Sequence, residues 1–459
     1  MYLLIGISIL ILVISIFKLF KVNINIFTPS FFLWFIYLIY FFIGELIFDL
    51  LISLDKFENI LFFEELSPHH PYIALYIYIS FLSLSLGILS ANLLLRNNIE
   101  ILKSSKLLSY YIYIYTLKFK NTSKLLIYFL LFLIIIELLI TFFLFFKFGT
   151  VFNYNTWDDL RTKLNIEGYW KFIIIDYIWL TPITITLATF LFFLYKKNFK
   201  KEKSMLFLVK LIFFLALINS FVSIVFGYRS FFITTILLIL LIMNTLQLLS
   251  RRNIFLGILF VIIGYGIFTY FKSLSFIYKN PLLLYDALFH RIFFEGYKSL
   301  FYIFYYIDIY GYQYGKTYLI DLMTKLPGRQ ESFSQKLGSI AGFKEGIGMN
   351  LTILGDFYIN WNIFSIFLLY IIGFLYVYLE YKFLKNFYFK MNYFYLVLYS
   401  ILFLSSYNLI LGGISVYIDV MIQVIVTVLI FSSYSIIKQI LKWKKGKYDA
   451  YPKNVYPNP

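Results

Sequence analysis

Cysteine is absent from this chain and histidine is scarce. Without cysteine there is no disulfide, no thiolate nucleophile and no metal site built on sulfur. The three histidines are His69, His70 and His290, and Pro68 and Pro71 beside the first two predict a rigid loop. A metal site on these histidines would need carboxylates from distant parts of the sequence. We therefore predict a protein without a metal ion or any other cofactor.

Charged residues are also few, at 14% of the chain against 61% hydrophobic residues, with a mean hydropathy of +0.83. These values lie outside the range of soluble domains. Apolar runs of about 20 residues, long enough to cross a bilayer as helix, recur along the chain, and the alternating pattern of membrane β-strands is missing. The sequence predicts an all-α polytopic membrane protein. Its roughly 11 transmembrane helices are predicted near residues 1–17, 31–54, 72–95, 125–149, 172–195, 205–226, 230–250, 254–275, 355–379, 392–412 and 416–437.

Lysine and arginine cluster between alternate runs, and this bias predicts which side of the membrane each loop occupies. The largest clusters lie within 96–124, 196–203, 251–252, 382–390 and 438–453. These ends are predicted to be cytoplasmic, so that the N-terminus lies outside and the C-terminus inside. The net charge of +17 is then mainly an orientation signal. No nucleic-acid partner is predicted, because the chain has no soluble domain to bind one.

The same topology divides the chain into four parts. Residues 1–275 are predicted to form an N-terminal bundle of eight spans, and residues 351–437 a C-terminal bundle of three. Residues 276–350 form a large external loop between the eighth and ninth spans, with an amphipathic helix, and 438–459 form a basic cytoplasmic tail. Insertion topology does not explain basic residues on the outer side, so functional residues are sought there.

The external loop carries charges at helical spacing. Arg291, Glu295 and Lys298 follow one another at i, i+4 and i+7 and share a helix face, with His290 beside them. One interpretation is an interfacial helix that lies on the outer leaflet with its charges in water. The other is a helix that presents Arg291, together with His290, to a cavity.

Further external cations lie in a polar loop and in a short turn. Arg329 and Lys336 belong to a glycine-rich stretch that suits either a phosphate ligand or an ordinary solvated loop. Arg229 lies in a very short turn between two spans. An arginine at that depth is costly unless it reaches the headgroups or binds a ligand. A guanidinium grips phosphate with two parallel hydrogen bonds, which makes Arg229 a strong candidate for binding an anion.

Two external acids are candidates for proton transfer. Asp356 lies at the outer end of the ninth span, where it is either a general base or the cap of the helix. Glu345 lies among basic residues of the loop. Carboxylates within the spans, among them Glu45, Asp49 and Glu137, predict either a proton pathway or structural hydrogen bonds.

Two stretches of this sequence resemble a known family. Phe226–Ser230 (FGYRS) runs from one span straight into another helix, and Gly348–Trp361 (GMNLTILGDFYINW) leads into a span that contains Gly373. Together with the large external loop before the late spans, they resemble the bacterial oligosaccharide repeat-unit polymerases, the O-antigen (Wzy) polymerase family. The resemblance covers nearly the whole chain in topology and these two stretches in motif.

The resemblance implies a metal-independent glycosyltransferase of the GT-C class in the bacterial plasma membrane. Such an enzyme transfers a glycan chain from undecaprenyl pyrophosphate to the next lipid-linked repeat unit at the outer face. No cofactor is implied. The implied partners are the undecaprenyl-pyrophosphate-linked oligosaccharide, membrane lipid, a chain-length regulator and a flippase.

That reaction needs cations for the departing pyrophosphate and a base for the acceptor hydroxyl. The candidates for binding pyrophosphate are Arg229, Arg291, Arg329 and Lys336. The candidates for the base are Asp356, Glu345 and His290. Two other classes of function share the layout. One is a lipid-linked oligosaccharide flippase, which binds pyrophosphate without reaction, and the other is a membrane O-acyltransferase or a different GT-C transferase.

Overall fold

The computed structural model describes most of the chain, and every regular element in the described residues is a helix, with no strand. The described residues are 2–22, 25, 27–53, 69–103, 105–149, 179–198, 203–225, 229–250, 252, 254–257, 259, 295–323, 331–342, 348–390, 392–413 and 415–449. The all-helical character predicted from the sequence is therefore confirmed for this part of the chain.

The helices before the external segment are α1 (Tyr2–Leu19), α2 (Pro29–Tyr37), α3 (Gly44–Ser53), α4 (His70–Lys103), α5 (Ser105–Phe148), α6 (Thr181–Asn198), α7 (Lys203–Val225) and α8 (Arg229–Thr245). A π-helical stretch, Leu38–Ile43, joins α2 to α3 without a break. The later helices are α9 (Glu295–Tyr310), α10 (Lys316–Met323), α11 (Phe333–Ile340), α12 (Ile353–Trp361), α13 (Phe364–Lys390), α14 (Tyr393–Gly412) and α15 (Ser415–Asp449).

Seven stretches of helix in the described residues are long and apolar enough to cross a membrane. They are Tyr2–Leu19, Pro29–Leu50, His70–Leu95, Lys124–Phe148, Phe364–Lys390, Tyr393–Gly412 and Asp419–Gln439. Three shorter apolar helices, Thr181–Lys196, Met205–Ser220 and Ile233–Thr245, coincide with three further predicted spans. The predicted span 254–275 lies mostly outside the described residues. These findings support a multi-pass membrane protein, and the count of 11 spans stays a prediction.

The tightest helix pair joins the two halves of the sequence. Ser83 Oγ of α4 donates to the Ile366 carbonyl of α13 at 2.6 Å, and one turn further along both helices Gly87 lies against Tyr370. The two helices therefore run parallel. A Cβ on Gly87 would overlap the Tyr370 carbonyl, and one on Gly373 would approach the Leu84 carbonyl to 2.5 Å. In lipid, such close backbone contact gives the dispersion attraction that holds helices together.

Two apolar cores fill the bundle. The first is built by α1, α2, α4, α9, α12 and α13, and the second by α5 to α8 with α14. Two buried carboxylates in the bundle are paired: Glu380 accepts from the Ser30 hydroxyl at 2.6 Å, and Glu137 accepts from the Thr184 hydroxyl at 2.8 Å. The structural hydrogen bond that the sequence predicts for Glu137 is therefore present. Pairing of this kind offsets the cost of desolvating a carboxylate.

The segment predicted to be external contributes three helices, named the external helices below, to one end of the bundle. Helix α9 packs against α3, α4 and α12, and it buries Tyr297, Leu300, Phe301 and Phe304. It is therefore seated on the bundle, which differs from an amphipathic helix lying only on the lipid surface. Burial lowers the pKa of Lys298, and the neighbouring Glu295 carboxylate partly offsets this shift. Helices α10 and α11 follow and are linked by Asp321, which accepts from the Phe333 backbone at 3.0 Å.

Candidate functional site

The structure describes two of the seven side chains predicted to form the site. His290, Arg291, Arg329 and Glu345 lie outside the described residues, and so does the side chain of Arg229, which begins α8. The two remaining residues lie on the external side of the predicted topology. Lys336 is exposed on α11, whereas Asp356 is buried in the first turn of α12, with 1% of its surface accessible.

Helix α12 begins at a cap that is not Asp356. The Thr352 hydroxyl accepts from the Gly355 backbone at 3.3 Å, which is the standard N-cap bond. The interpretation of Asp356 as the cap is therefore wrong, because Thr352 already fills that position. Gly355 fits closely against Ile303 of α9, so the start of α12 is held between the cap and the external helix.

Asp356 is held by an amide one helical turn away. Asn360 donates to the Asp356 carboxylate at 3.2 Å and to its backbone carbonyl at 2.8 Å. The other carboxylate oxygen faces Gly413 at the end of α14, where an added Cβ would lie 2.7 Å from it. Asp356 is therefore enclosed by α12 and the end of α14.

Asn360 links Asp356 to α10. Its amide nitrogen lies 2.6 Å from the Thr317 hydroxyl, and its amide oxygen accepts from the Gly315 backbone at 2.8 Å. Tyr318 follows Thr317 and lies with its hydroxyl 3.5 Å from the Asp356 carbonyl. Burial and the Asp356 charge raise the pKa of Tyr318, which keeps its hydroxyl protonated. Sequence reasoning missed Asn360, although its i+4 spacing from Asp356 was a usable signal.

Aromatic rings line the side of α12 that faces the external helices. Tyr358 stacks on Phe304 of α9 with ring centres 4.4 Å apart, and it also contacts Tyr76 of α4. Trp361, which is 44% exposed, donates its indole N–H to the Tyr318 hydroxyl at 3.2 Å. Such rings present flat apolar faces with polar edges, a surface on which sugar rings can stack.

Residues at positive φ lie at both ends of α12 and at the end of α14. Thr352 has φ +54°, Asn362 has φ +50° and Gly413 has φ +70°. The first two are not glycine, and threonine is β-branched, so their conformations cost free energy on the order of 1–3 kcal/mol each. Strain of this kind concentrates at functional sites, which supports a role for α12 beyond packing.

A groove lies on the opposite side of α10. It has a volume of about 370 Å³ and is lined by Leu319, Ile320, Met323, Glu331 and Lys336. Its floor is apolar, and Lys336 adds a positive charge at its edge. Helix α10 also packs against α15, so the groove lies next to the transmembrane bundle.

A second polar cluster lies between α3 and the first turn of α4. His70 Nε2 lies 2.8 Å from Asp49 Oδ1, and His70 Nδ1 lies 2.9 Å from the Tyr297 hydroxyl and 3.4 Å from Glu45 Oε1. His70 is the first residue of α4 and Pro71 is in its first turn, so this part of the predicted rigid loop is helix. The two carboxylates that a histidine metal site would need are thus brought beside His70.

Comparisons with known proteins give no further guide to function. No protein-family model, curated protein or solved structure matches this chain.

The chemistry of the site therefore rests on its geometry. Around Asp356 there is an oriented carboxylate, a tyrosine hydroxyl and an aromatic surface, while Lys336 lies across α10 beside an apolar groove. An oriented carboxylate can accept a proton from a hydroxyl group. A cation beside an apolar groove can hold a phosphate attached to a lipid chain.

Proposed function

We propose that this protein is a polysaccharide polymerase of the outer face of the bacterial plasma membrane. It transfers a glycan chain from undecaprenyl pyrophosphate to the next lipid-linked repeat unit. The observation that carries the proposal is the buried Asp356, fixed by Asn360 and separated by one helix from the groove of Lys336. A base for the acceptor and a cation for the donor lipid thus lie on either side of α10.

Asp356 is the proposed general base. The acceptor hydroxyl attacks the first sugar carbon of the donor chain, its proton passes to the Asp356 carboxylate, and the bond to pyrophosphate breaks. Asn360 donates to one carboxylate oxygen and thereby fixes the orientation of the carboxylate. Tyr358 and Trp361 would support the sugar rings during this step. Glu345 and His290 remain alternative bases in the same external segment.

The groove on α10 is the proposed place for the start of the polyprenyl chain. Leu319, Ile320 and Met323 offer it an apolar surface, and Lys336 can pair with the pyrophosphate. Arg229, Arg291 and Arg329 are proposed to complete the anion site, since guanidinium groups stabilise the negative charge that develops on the leaving group. The finer architecture also belongs to this proposal: 11 spans, a GT-C arrangement and an external N-terminus.

Reconstitution tests the proposal directly. Purified protein in liposomes is given lipid-linked repeat units with no added metal, and the products are separated by length. A ladder of products is the expected result. Substrate that crosses the bilayer with unchanged length would instead identify a flippase, and transfer of an acyl group would identify an acyltransferase.

Two lysine variants test the groove in the same assay. Lys336→Ala should weaken binding of the lipid-linked donor and raise its apparent KM, because one cation beside the pyrophosphate is lost. Lys316→Ala is the matched control, since Lys316 is also exposed on the external helices but does not line the groove. Equal KM values for the two variants would remove the groove from the donor site.

A further inference from the structure

The cluster of Glu45, Asp49 and His70 has no part in the proposed transfer reaction. We infer that these three residues form a binding site for one divalent transition-metal ion, with Zn²⁺ as the best fit. This inference stands apart from the proposed function and replaces the prediction, made from the sequence, that the chain holds no metal.

The fold brings three ligand groups to one point. Glu45 and Asp49 lie on α3 at i and i+4, so both point to the same face, and His70 begins α4 opposite them. One ligand atom from each residue lies within 4.8 Å of the others. Bonds of about 2.1 Å to a shared ion place ligand atoms roughly 3–4 Å apart, so small side-chain adjustments close the site.

Glu45 carries the strongest indication of a missing ligand. Its side chain is fully buried, and neither carboxylate oxygen has a hydrogen-bond partner in the described part of the chain. His70 Nδ1 lies 3.4 Å from Glu45 Oε1, and that nitrogen is already 2.9 Å from the Tyr297 hydroxyl. An unpaired carboxylate within a membrane span costs several kcal/mol or more, which a bound cation would offset.

The charges of the cluster do not balance by themselves. Metal ligands must be deprotonated, and in that form Glu45 and Asp49 contribute two negative charges, with ion-pair contacts in the described residues to His70 alone. A protonated His70 would neutralise one of the two. A divalent ion bound to neutral His70 and both carboxylates would bring the net charge of the site to zero. It would thereby offset the free-energy cost of burying two carboxylates away from water.

Neighbouring hydroxyl groups fix the ligands in the orientation that an ion requires. The Tyr297 hydroxyl can accept the Nδ1 proton of His70, which leaves Nε2 as the metal-binding nitrogen facing Asp49. The Tyr78 hydroxyl lies 3.4 Å from Asp49 Oδ2, which leaves Oδ1 for the ion. Second contacts of this kind orient metal ligands in proteins.

The ligand set selects among metals. Imidazole suits Zn²⁺ and its first-row neighbours, whereas Mg²⁺ and Ca²⁺ prefer sites made only of oxygen. One imidazole and two carboxylates match Zn²⁺ best and Mn²⁺ next. Because Tyr297 belongs to α9, the ion would also tie the external helix to α3 and α4.

Metal analysis of the full-length protein tests the site. The protein is purified in detergent with an affinity tag free of histidine, stripped by a chelator, incubated with Zn²⁺, Mn²⁺ or Mg²⁺, and desalted. We expect about one Zn²⁺ per chain by elemental analysis, weaker retention of Mn²⁺, none of Mg²⁺, and a higher Tm with Zn²⁺. X-ray absorption at the zinc edge should find one imidazole nitrogen with oxygen ligands and no sulfur.

Substitutions separate this site from surface binding. Glu45→Gln and His70→Ala should lose the bound Zn²⁺, whereas His69→Ala, next to His70 but outside the cluster, should retain it. Tyr297→Phe keeps all three ligands but loses the contact that orients His70, so its affinity for Zn²⁺ should fall about 10–100-fold. This variant provides the test if His70→Ala does not fold. Wild-type protein that retains no Zn²⁺, or equal retention by Glu45→Gln and wild type, would overturn the inference and leave a protonated Glu45.

Discussion

At the scale of single residues, the site depends on how Asp356 is held. Asn360 donates to it from the next turn, Thr352 caps the helix before it, and the missing Cβ of Gly413 leaves room for its carboxylate. The sequence predicted Asp356 at the outer end of a ninth span over 355–379, whereas the structure has it in the separate helix α12, before the span Phe364–Lys390. Only its position near the end of a span was readable from the sequence. Its contact with Thr317 through Asn360 was not, because that contact depends on how α10 packs on α12.

Replacing Asp356 tests its proposed role as base. Asp356→Asn keeps the size of the side chain but cannot accept the proton, so the rate of chain extension should fall about 10²–10⁴-fold. The ladder assay with lipid-linked repeat units measures this rate. Asp308→Asn is the matched control, since Asp308 is exposed on α9 and pairs with His69 outside the site. An Asp356→Asn variant with normal extension would transfer the role to Glu345 or His290.

Gly413 offers a second test that separates backbone strain from the position of Asp356. Gly413 and Gly311 have nearly the same φ, +70° and +71°, but only Gly413 faces another residue. Alanine at either position should cost about 1 kcal/mol from positive φ. Only Gly413→Ala should also displace the Asp356 carboxylate and abolish chain extension.

Thermal unfolding and the ladder assay, applied to both variants, give the comparison. Backbone strain should lower the Tm of both alanine variants by a similar amount. Crowding of the new Cβ against Asp356 should lower the Tm of Gly413→Ala further. If Gly413→Ala extends chains as well as Gly311→Ala does, the position of Asp356 is not important for the reaction.

At the scale of helices, hydropathy located the spans but not their limits or partners. The predicted run 125–149 is one part of α5, which begins at Ser105, because hydropathy reports depth in lipid and a helix continues into water. The predicted run 31–54 contains the π-helical stretch Leu38–Ile43, which no periodicity reveals because residues 38–43 are all apolar. Gly373 was visible in the sequence, but its contact with α4 required the fold.

The glycine contact between α4 and α13 should be sensitive to a single methyl group. Gly87→Ala and Gly373→Ala each force a Cβ against backbone atoms, which cannot move aside, so each should cost about 1–3 kcal/mol. Gly257→Ala is the control, because its added Cβ meets only the end of the Leu240 side chain. Thermal unfolding in detergent measures the difference. Equal Tm values for all three variants would show that α4 and α13 can separate without cost.

At the scale of the whole molecule, functional groups gather at one end of the bundle. The end of α3, the start of α4, the external helices and the start of α12 meet there, linked by Tyr76, whose hydroxyl donates to the Leu354 carbonyl at 3.1 Å. The charge pattern of the sequence predicts that this end is external. It did not predict the cluster of Glu45, Asp49 and His70, since those residues come together only when α3 and α4 pack.

The absence of native cysteine allows a clean test of this orientation. Ser339→Cys places a thiol on the exposed face of α11, and Lys390→Cys places one at the far end of α13. In intact cells, a maleimide that cannot cross the membrane should label Ser339→Cys and should reach Lys390→Cys only after permeabilisation. The cysteine-free parent protein gives the background. The reverse pattern would put Asp356 on the cytoplasmic side, away from donors in the outer leaflet, and the proposed polymerase reaction could not take place there.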